Sequence, residues 1–140
     1  MISISKWFFA TGAFCGLCGM IWGIQMSASH DHTLSPAHGH LNLIGFVAMS
    51  IFGGYYALAP QAAQTRLALV HYGLTVAAVA LLTPGIVLAI TDQGETLAKI
   101  GSVLAVGSMA LFGFMILRNG VGVEAAGRSG GAELTALPGE

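Results

Sequence analysis

Four long apolar runs separated by short polar breaks organise this chain, at about 7–28, 37–59, 67–90 and 96–117. A bilayer core about 30 Å thick takes about 20 helical residues to cross, and each run reaches that length. The breaks carry turn-forming and charged residues. His30-Asp31-His32-Thr33 with Ser35-Pro36 closes the first run, Pro60 to Arg66 the second, and Thr91-Asp92-Gln93-Gly94-Glu95 the third. Pro36 suits the first turn of a helix, where its missing N–H leaves no bond unmade. The pattern predicts an all-α fold, an integral membrane four-helix bundle over residues 1–118. Residues 119–140, rich in Gly, Ala, Ser and Glu and without periodicity, read as a flexible cytoplasmic tail.

The first run follows Lys6 as a secretory signal would, yet it outlasts the roughly 7–15 residues of a signal core. Its glycines suit a retained helix, with a cut near Ser27-Ala28-Ser29 as the alternative. Gly12, Gly16, Gly19 and Gly23 fall on one stripe of that helix. Small residues let helix backbones approach closely in lipid, so the stripe predicts packing inside the bundle, with contact between copies as the alternative.

Charge sets an orientation. Lys6, Arg66 and Arg118 share one side of a four-span chain, and positive residues mark the cytoplasm. The opposite loops carry His30, Asp31, His32, Asp92 and Glu95, with Lys99 placed to pair with Glu95 one turn earlier. Both termini are thus expected in the cytoplasm. Charged residues make up 8% of the chain against 55% hydrophobic, where a soluble domain carries about a quarter charged. The net charge of −1 gives no basic footprint for nucleic acid, and the lipid bilayer is the expected partner. Cys15 and Cys18 have CxxC spacing but lie mid-helix, where a packing role is expected.

Four of the five histidines lie between His30 and His40, and His71 stands alone early in the third run. Ionisable groups inside a membrane are costly and mark functional sites. Neutral imidazole is also a ligand for haem iron, copper and zinc. On a helical projection His38 shares a face with Asn42, Gly45, Met49, Gly53 and Tyr56, the small and polar face expected to point inward. His40 lies roughly opposite, with Ile44, Val47 and Ile51. His30 and His32 read most simply as solvated loop residues, and a cap or hydrogen bond at the membrane surface is the alternative to a ligand role for His38. Together His30, His32, His38 and His40, with Asp31, also offer a copper or zinc site, to which Met20 and Met26 could add sulfur. Tyr55, Tyr56 and Trp22 near run ends are expected at the membrane interface.

The segment Ala37-His38-Gly39-His40-Leu41-Asn42-Leu43-Ile44-Gly45-Phe46 resembles the histidine-bearing start of the second helix of haem-copper oxidase subunit I. It is more similar still to small four-span bacterial membrane proteins described as subunit-I-like. Val70-His71-Tyr72-Gly73-Leu74 is similar to the oxidase helix that supplies the other axial ligand, with Leu69 standing where the high-spin haem ligand would be. The resemblance implies a haem-b-binding protein of a bacterial-type inner membrane, serving electron transfer or gas binding, with His40 the better match for an axial ligand. The copper-site histidines and the many spans of an oxidase are missing, so no complete oxygen-reducing centre is expected.

Consecutive spans run antiparallel, so His40 and His71 should differ in depth by roughly 20 Å at about 1.5 Å per residue. A haem axial pair needs nitrogens only about 4 Å apart, given metal–nitrogen bonds of about 2 Å. The workable ligand sets therefore keep one depth: His38 or His40 with Met26, His30, His32 or a symmetry-related histidine, or His71 with its own copy or alone. A structural or assembly subunit of a larger respiratory complex, or a homo-oligomer, remains the third reading. No Ser/His/Asp grouping, phosphate loop or paired carboxylate lies within the spans, so an enzyme acting on its own is not expected.

Overall fold

In the computed structural model, which describes residues 3–122, the four runs are four long helices. The helices are α1 (Ile4–Ser29), α2 (Ser35–Leu58), a single turn α3 (Pro60–Ala63), α4 (Arg66–Ile90) and α5 (Thr96–Asn119). Among the described residues there is no strand, and the four long helices are long and apolar enough to cross a membrane. The fold is an all-α four-helix bundle of a multi-pass membrane protein. The last helix runs through Asn119, two residues beyond the apolar run; the expected tail beyond 122 lies outside the described residues.

Local chemistry sets the helix ends. Pro36 and Pro60 stand in the first turns of α2 and α3. The Thr65 hydroxyl accepts the Ala68 N–H at 3.2 Å and caps α4. His30 closes α1 with φ of 57°, a left-handed conformation that more often falls to glycine. Glu95 and Lys99 pair at 2.8 Å at the start of α5, the charged pair that the sequence places one turn apart.

Helix packing follows the glycines. A Cβ on Gly12, Gly16 or Gly23 would stand 3.2 Å from Ser50 Oγ, 3.0 Å from the Phe46 ring and 3.3 Å from His38 Cε1 respectively. One on Gly19 would run into the Asn42 amide. The stripe on α1 is thus the groove that receives the row His38, Asn42, Phe46 and Ser50 of antiparallel α2. Between α4 and α5 the approach is closer, because Gly85 faces the Leu97–Ala98 backbone and Gly101 faces the Leu82 backbone. Such contact maximises dispersion where lipid tails remove any net hydrophobic drive.

Outward, Phe14, Leu17, Ile24, Leu43, Ile51, Leu69, Val103 and Val106 are exposed. In water so much apolar surface would demand a cover; in a bilayer the acyl chains meet it.

The middle of α2, Leu41–Ala48, is π-helical. Wider turns of this kind leave backbone carbonyls needing partners. Here the Asn42 side-chain amide donates to the His38 carbonyl at 2.9 Å and the Ser50 hydroxyl to the Phe46 carbonyl at 2.7 Å. The widened segment begins at the residue after His40.

Candidate functional site

Two separate histidine environments emerge, at opposite ends of α2. At the end where α1 begins, the His71 side chain is completely buried. Its ring centroid lies 5.3 Å from that of Phe8 on α1, 4.6 Å and 5.8 Å from those of Phe52 and Tyr56 on α2, and 5.9 Å from that of Phe112 on α5. All four long helices therefore converge on this imidazole. His71 Nδ1 shares a 2.9 Å hydrogen bond with the Tyr56 hydroxyl. Thr75, one turn on, donates to the His71 carbonyl at 2.7 Å and shares a hydrogen bond of 2.7 Å with Ser108. Among the described residues, Nε2 of the ring has no hydrogen-bond partner.

Tyr55 and Tyr56 depart from the sequence expectation. Instead of anchoring at the membrane interface they are buried, Tyr55 donating to the Met115 carbonyl at 2.9 Å and Tyr56 bonding to His71. A phenol among apolar helices is stabilised by an internal partner, and both rings sit on the inward side of α2. Trp22 is half-buried, its ring edge-on to that of His38 at 6.0 Å.

At the other end the four clustered histidines part company. His30 and His32 are exposed in the loop. There, hydrogen bonds from the Thr33 side chain and backbone hold the Asp31 carboxyl below its usual range. His38 is half-buried against Gly23 and Trp22 of α1. The Asn42 amide lies 3.3 Å and 3.4 Å from its two ring nitrogens and is aimed instead at its backbone carbonyl. Met26 is buried, 6% exposed. His40 is exposed, with Ile44 half-buried and Val47 and Ile51 exposed further along α2, while Gly45, Met49, Gly53 and Tyr56 are buried. Among the described residues no three His, Cys, Asp or Glu side chains gather as an ion site. Cys15 and Cys18 are free thiols.

The geometry at His40 fixes its chemistry. Its Nδ1 lies 2.7 Å from the Pro36 carbonyl one turn earlier. A carbonyl can only accept, so Nδ1 carries the hydrogen, and neutral His40 keeps its lone pair on Nε2 on the far side of the ring. Beyond it, starting one turn along at Leu43 and Ile44, an apolar groove of about 290 Å³ runs between α2 and α5. Val47, Ile51 and Phe52 line one wall and Ser108 and Met109 the other.

The two sites are far apart. His71 touches Phe52 and Tyr56, which follow His40 by 12 and 16 residues, roughly 20 Å along a helix. His40 and His71 do not meet.

The aromatic enclosure of Phe8, Phe52 and Phe112 around His71 is absent from the sequence expectations, as is the Thr75–Ser108 bond. Thr75 at i+4 from His71 was a readable signal for its hydroxyl bonding back to the helix. The rings come from three other helices, and their spacing along the chain carries no such signal. Comparison with protein-family models, with curated proteins and with solved structures finds no match for this chain.

Proposed function

We propose that this chain is a haem-b-binding membrane protein of a bacterial-type inner membrane, oriented with both termini in the cytoplasm and serving electron transfer or gas binding. It has no complete oxygen-reducing centre.

One observation carries the reading: the His40 ring is exposed and oriented by its 2.7 Å bond to the Pro36 carbonyl, with Nε2 bare. Histidines that ligate metals characteristically donate the other ring N–H to a carbonyl or carboxylate. Such a bond fixes the tautomer and the orientation of the ring. The apolar groove that begins one turn away does not include His40 and, at about 290 Å³, would meet only an edge of a macrocycle held there. When bound, haem would supply one-electron chemistry or an iron to which a diatomic gas can attach. The protein's part is to hold the group at one depth and to set its electronics through the Pro36–His40 bond.

His71 is not assigned to this group. Its side chain is completely buried, Phe8, Phe52 and Phe112 pack on its ring and Tyr56 takes its Nδ1. His38 is turned into the α1–α2 contact and Met26 is buried, so both are the weaker candidates.

The test is the absorption spectrum of full-length protein purified in mild detergent from haem-replete cells, oxidised and then dithionite-reduced. The expected result is an intense Soret band, abolished by His40→Ala and retained in His71→Leu. Colourless protein from such cells would sink the reading.

A further inference from the structure

We infer that His71 and Ser108 hold one water molecule at the bundle centre, admitted along the groove between α2 and α5. His71 is then a proton-exchanging group inside the membrane.

Counting hydrogens fixes the state of the buried pair. The Tyr56 hydroxyl brings one hydrogen and a neutral imidazole brings one, yet the two side chains share a single hydrogen bond, at Nδ1. If Nδ1 donates, the tyrosine hydrogen finds no acceptor and Nε2 keeps a bare lone pair, so two buried groups go unmet. If Tyr56 donates, only the Nε2 hydrogen is unmet. The second arrangement strands fewer groups. His71 therefore carries its hydrogen on Nε2, as a donor without an acceptor among the described residues.

The same count applies to Thr75 and Ser108, both buried. Thr75 gives its one hydrogen to the His71 carbonyl. In the 2.7 Å bond between the two hydroxyls Ser108 is therefore the donor, which leaves Ser108 Oγ able only to accept. Ser108 also lines the α2–α5 groove, and so does Phe52, whose ring centroid lies 4.6 Å from that of His71. The inner wall of the groove is thus built from residues of the His71 surroundings. At about 290 Å³ the groove is ample for a water molecule, which needs only roughly 10–15 Å³. Its far end, at Leu43, lies three residues from exposed His40.

The occupant must accept from Nε2 and donate to Ser108 Oγ. Water does both. A metal ion would need a bare Nε2, and an ester or ketone would answer only one of the two groups. Buried waters characteristically join polar groups that the protein leaves unmet. Through such a water the ring can release its Nε2 proton and take one back at the same nitrogen, ending chemically unchanged. Ionisable side chains inside a membrane are costly and mark function, and exchange of a proton with the aqueous surface is the function this geometry supports.

Full-length protein with isotopically labelled histidine is reconstituted in lipid vesicles for solid-state NMR, the His71 signals being assigned by their loss in His71→Leu. The expected state has Nε2 protonated and Nδ1 bare, with magnetisation passing from water to the Nε2 hydrogen and that hydrogen exchanging into heavy water. Ala105→Leu, which fills the groove beside Ser108, is expected to slow the exchange by about tenfold or more. Ser108→Ala, which removes the acceptor, should weaken the water contact. Thermal unfolding and backbone spectra establish that each variant is folded. A hydrogen on Nδ1, no water contact in the unaltered protein, or unchanged exchange in folded Ala105→Leu would each overturn the inference, whatever the haem content.

Discussion

At His71 each of the other three long helices contributes a neighbour to one imidazole, and among the described residues the one hydrogen bond to its ring comes from Tyr56 at 2.9 Å. Removing that hydroxyl strands a buried nitrogen. Tyr56→Phe is therefore expected to destabilise the bundle by about 1–3 kcal/mol, towards the lower end because groups in a membrane find substitute partners. Adding His71→Leu should recover most of the loss, since removing both partners leaves neither group unsatisfied. Thermal unfolding in detergent of the two single variants and the double variant measures this, and equal, additive losses would count against it. His40 has the opposite surroundings. Its ring is exposed, so His40→Ala should leave unfolding of the haem-free protein nearly unchanged while removing the ligand nitrogen, which separates intrinsic stability from binding at the scale of a single side chain.

Among the helices, the glycines divide by what faces them. Gly85 of α4 meets the backbone of Leu97 and Ala98, which cannot rotate away as a side chain could. Gly85→Val should force α4 and α5 apart, at about 1–3 kcal/mol or more, seen as a lowered midpoint of thermal unfolding. Gly73, on the same helix, serves as the control, because an added Cβ there would meet nothing within 4 Å. Gly73→Ala should be neutral or slightly stabilising, because glycine is the poorer helix former. A comparable loss in both variants would count against close contact as what governs the α4 glycines. The stripe on α1 was legible from its spacing alone. Its meeting with His38, Asn42, Phe46 and Ser50 was not, because nothing in either segment states the register between two helices.

For the whole molecule, Gln61 Nε2 donates to the Asn119 carbonyl at 3.4 Å, joining the α2–α4 connection to the end of α5. Arg66 and Arg118 accordingly lie at one end of the bundle, with the histidine loop at the other. The positive-inside expectation then makes a simple prediction. In intact cells, Asp31→Cys and Asp92→Cys should react with a membrane-impermeant maleimide. Gln64→Cys should react only after lysis, with the unsubstituted chain reporting any background from Cys15 and Cys18. The reverse pattern would place His40 on the cytoplasmic side and hand it a different set of redox partners.

The run of apolar residues determined the four spans, their approximate limits and their alternating direction, because crossing a bilayer depends on length and composition within a segment. Periodicity within α2 likewise separated the inward residues Met49, Gly53 and Tyr56 from outward His40, Val47 and Ile51, since a helix face is a local property. What only the tertiary structure decided is which groups meet. It enclosed His71 among Phe8, Phe52, Phe112 and Tyr56, brought Thr75 to Ser108, and turned Tyr55 inward to the Met115 carbonyl. Those pairings depend on the rotation and axial register of one helix against another, which the summed packing of many small contacts fixes and no single segment encodes.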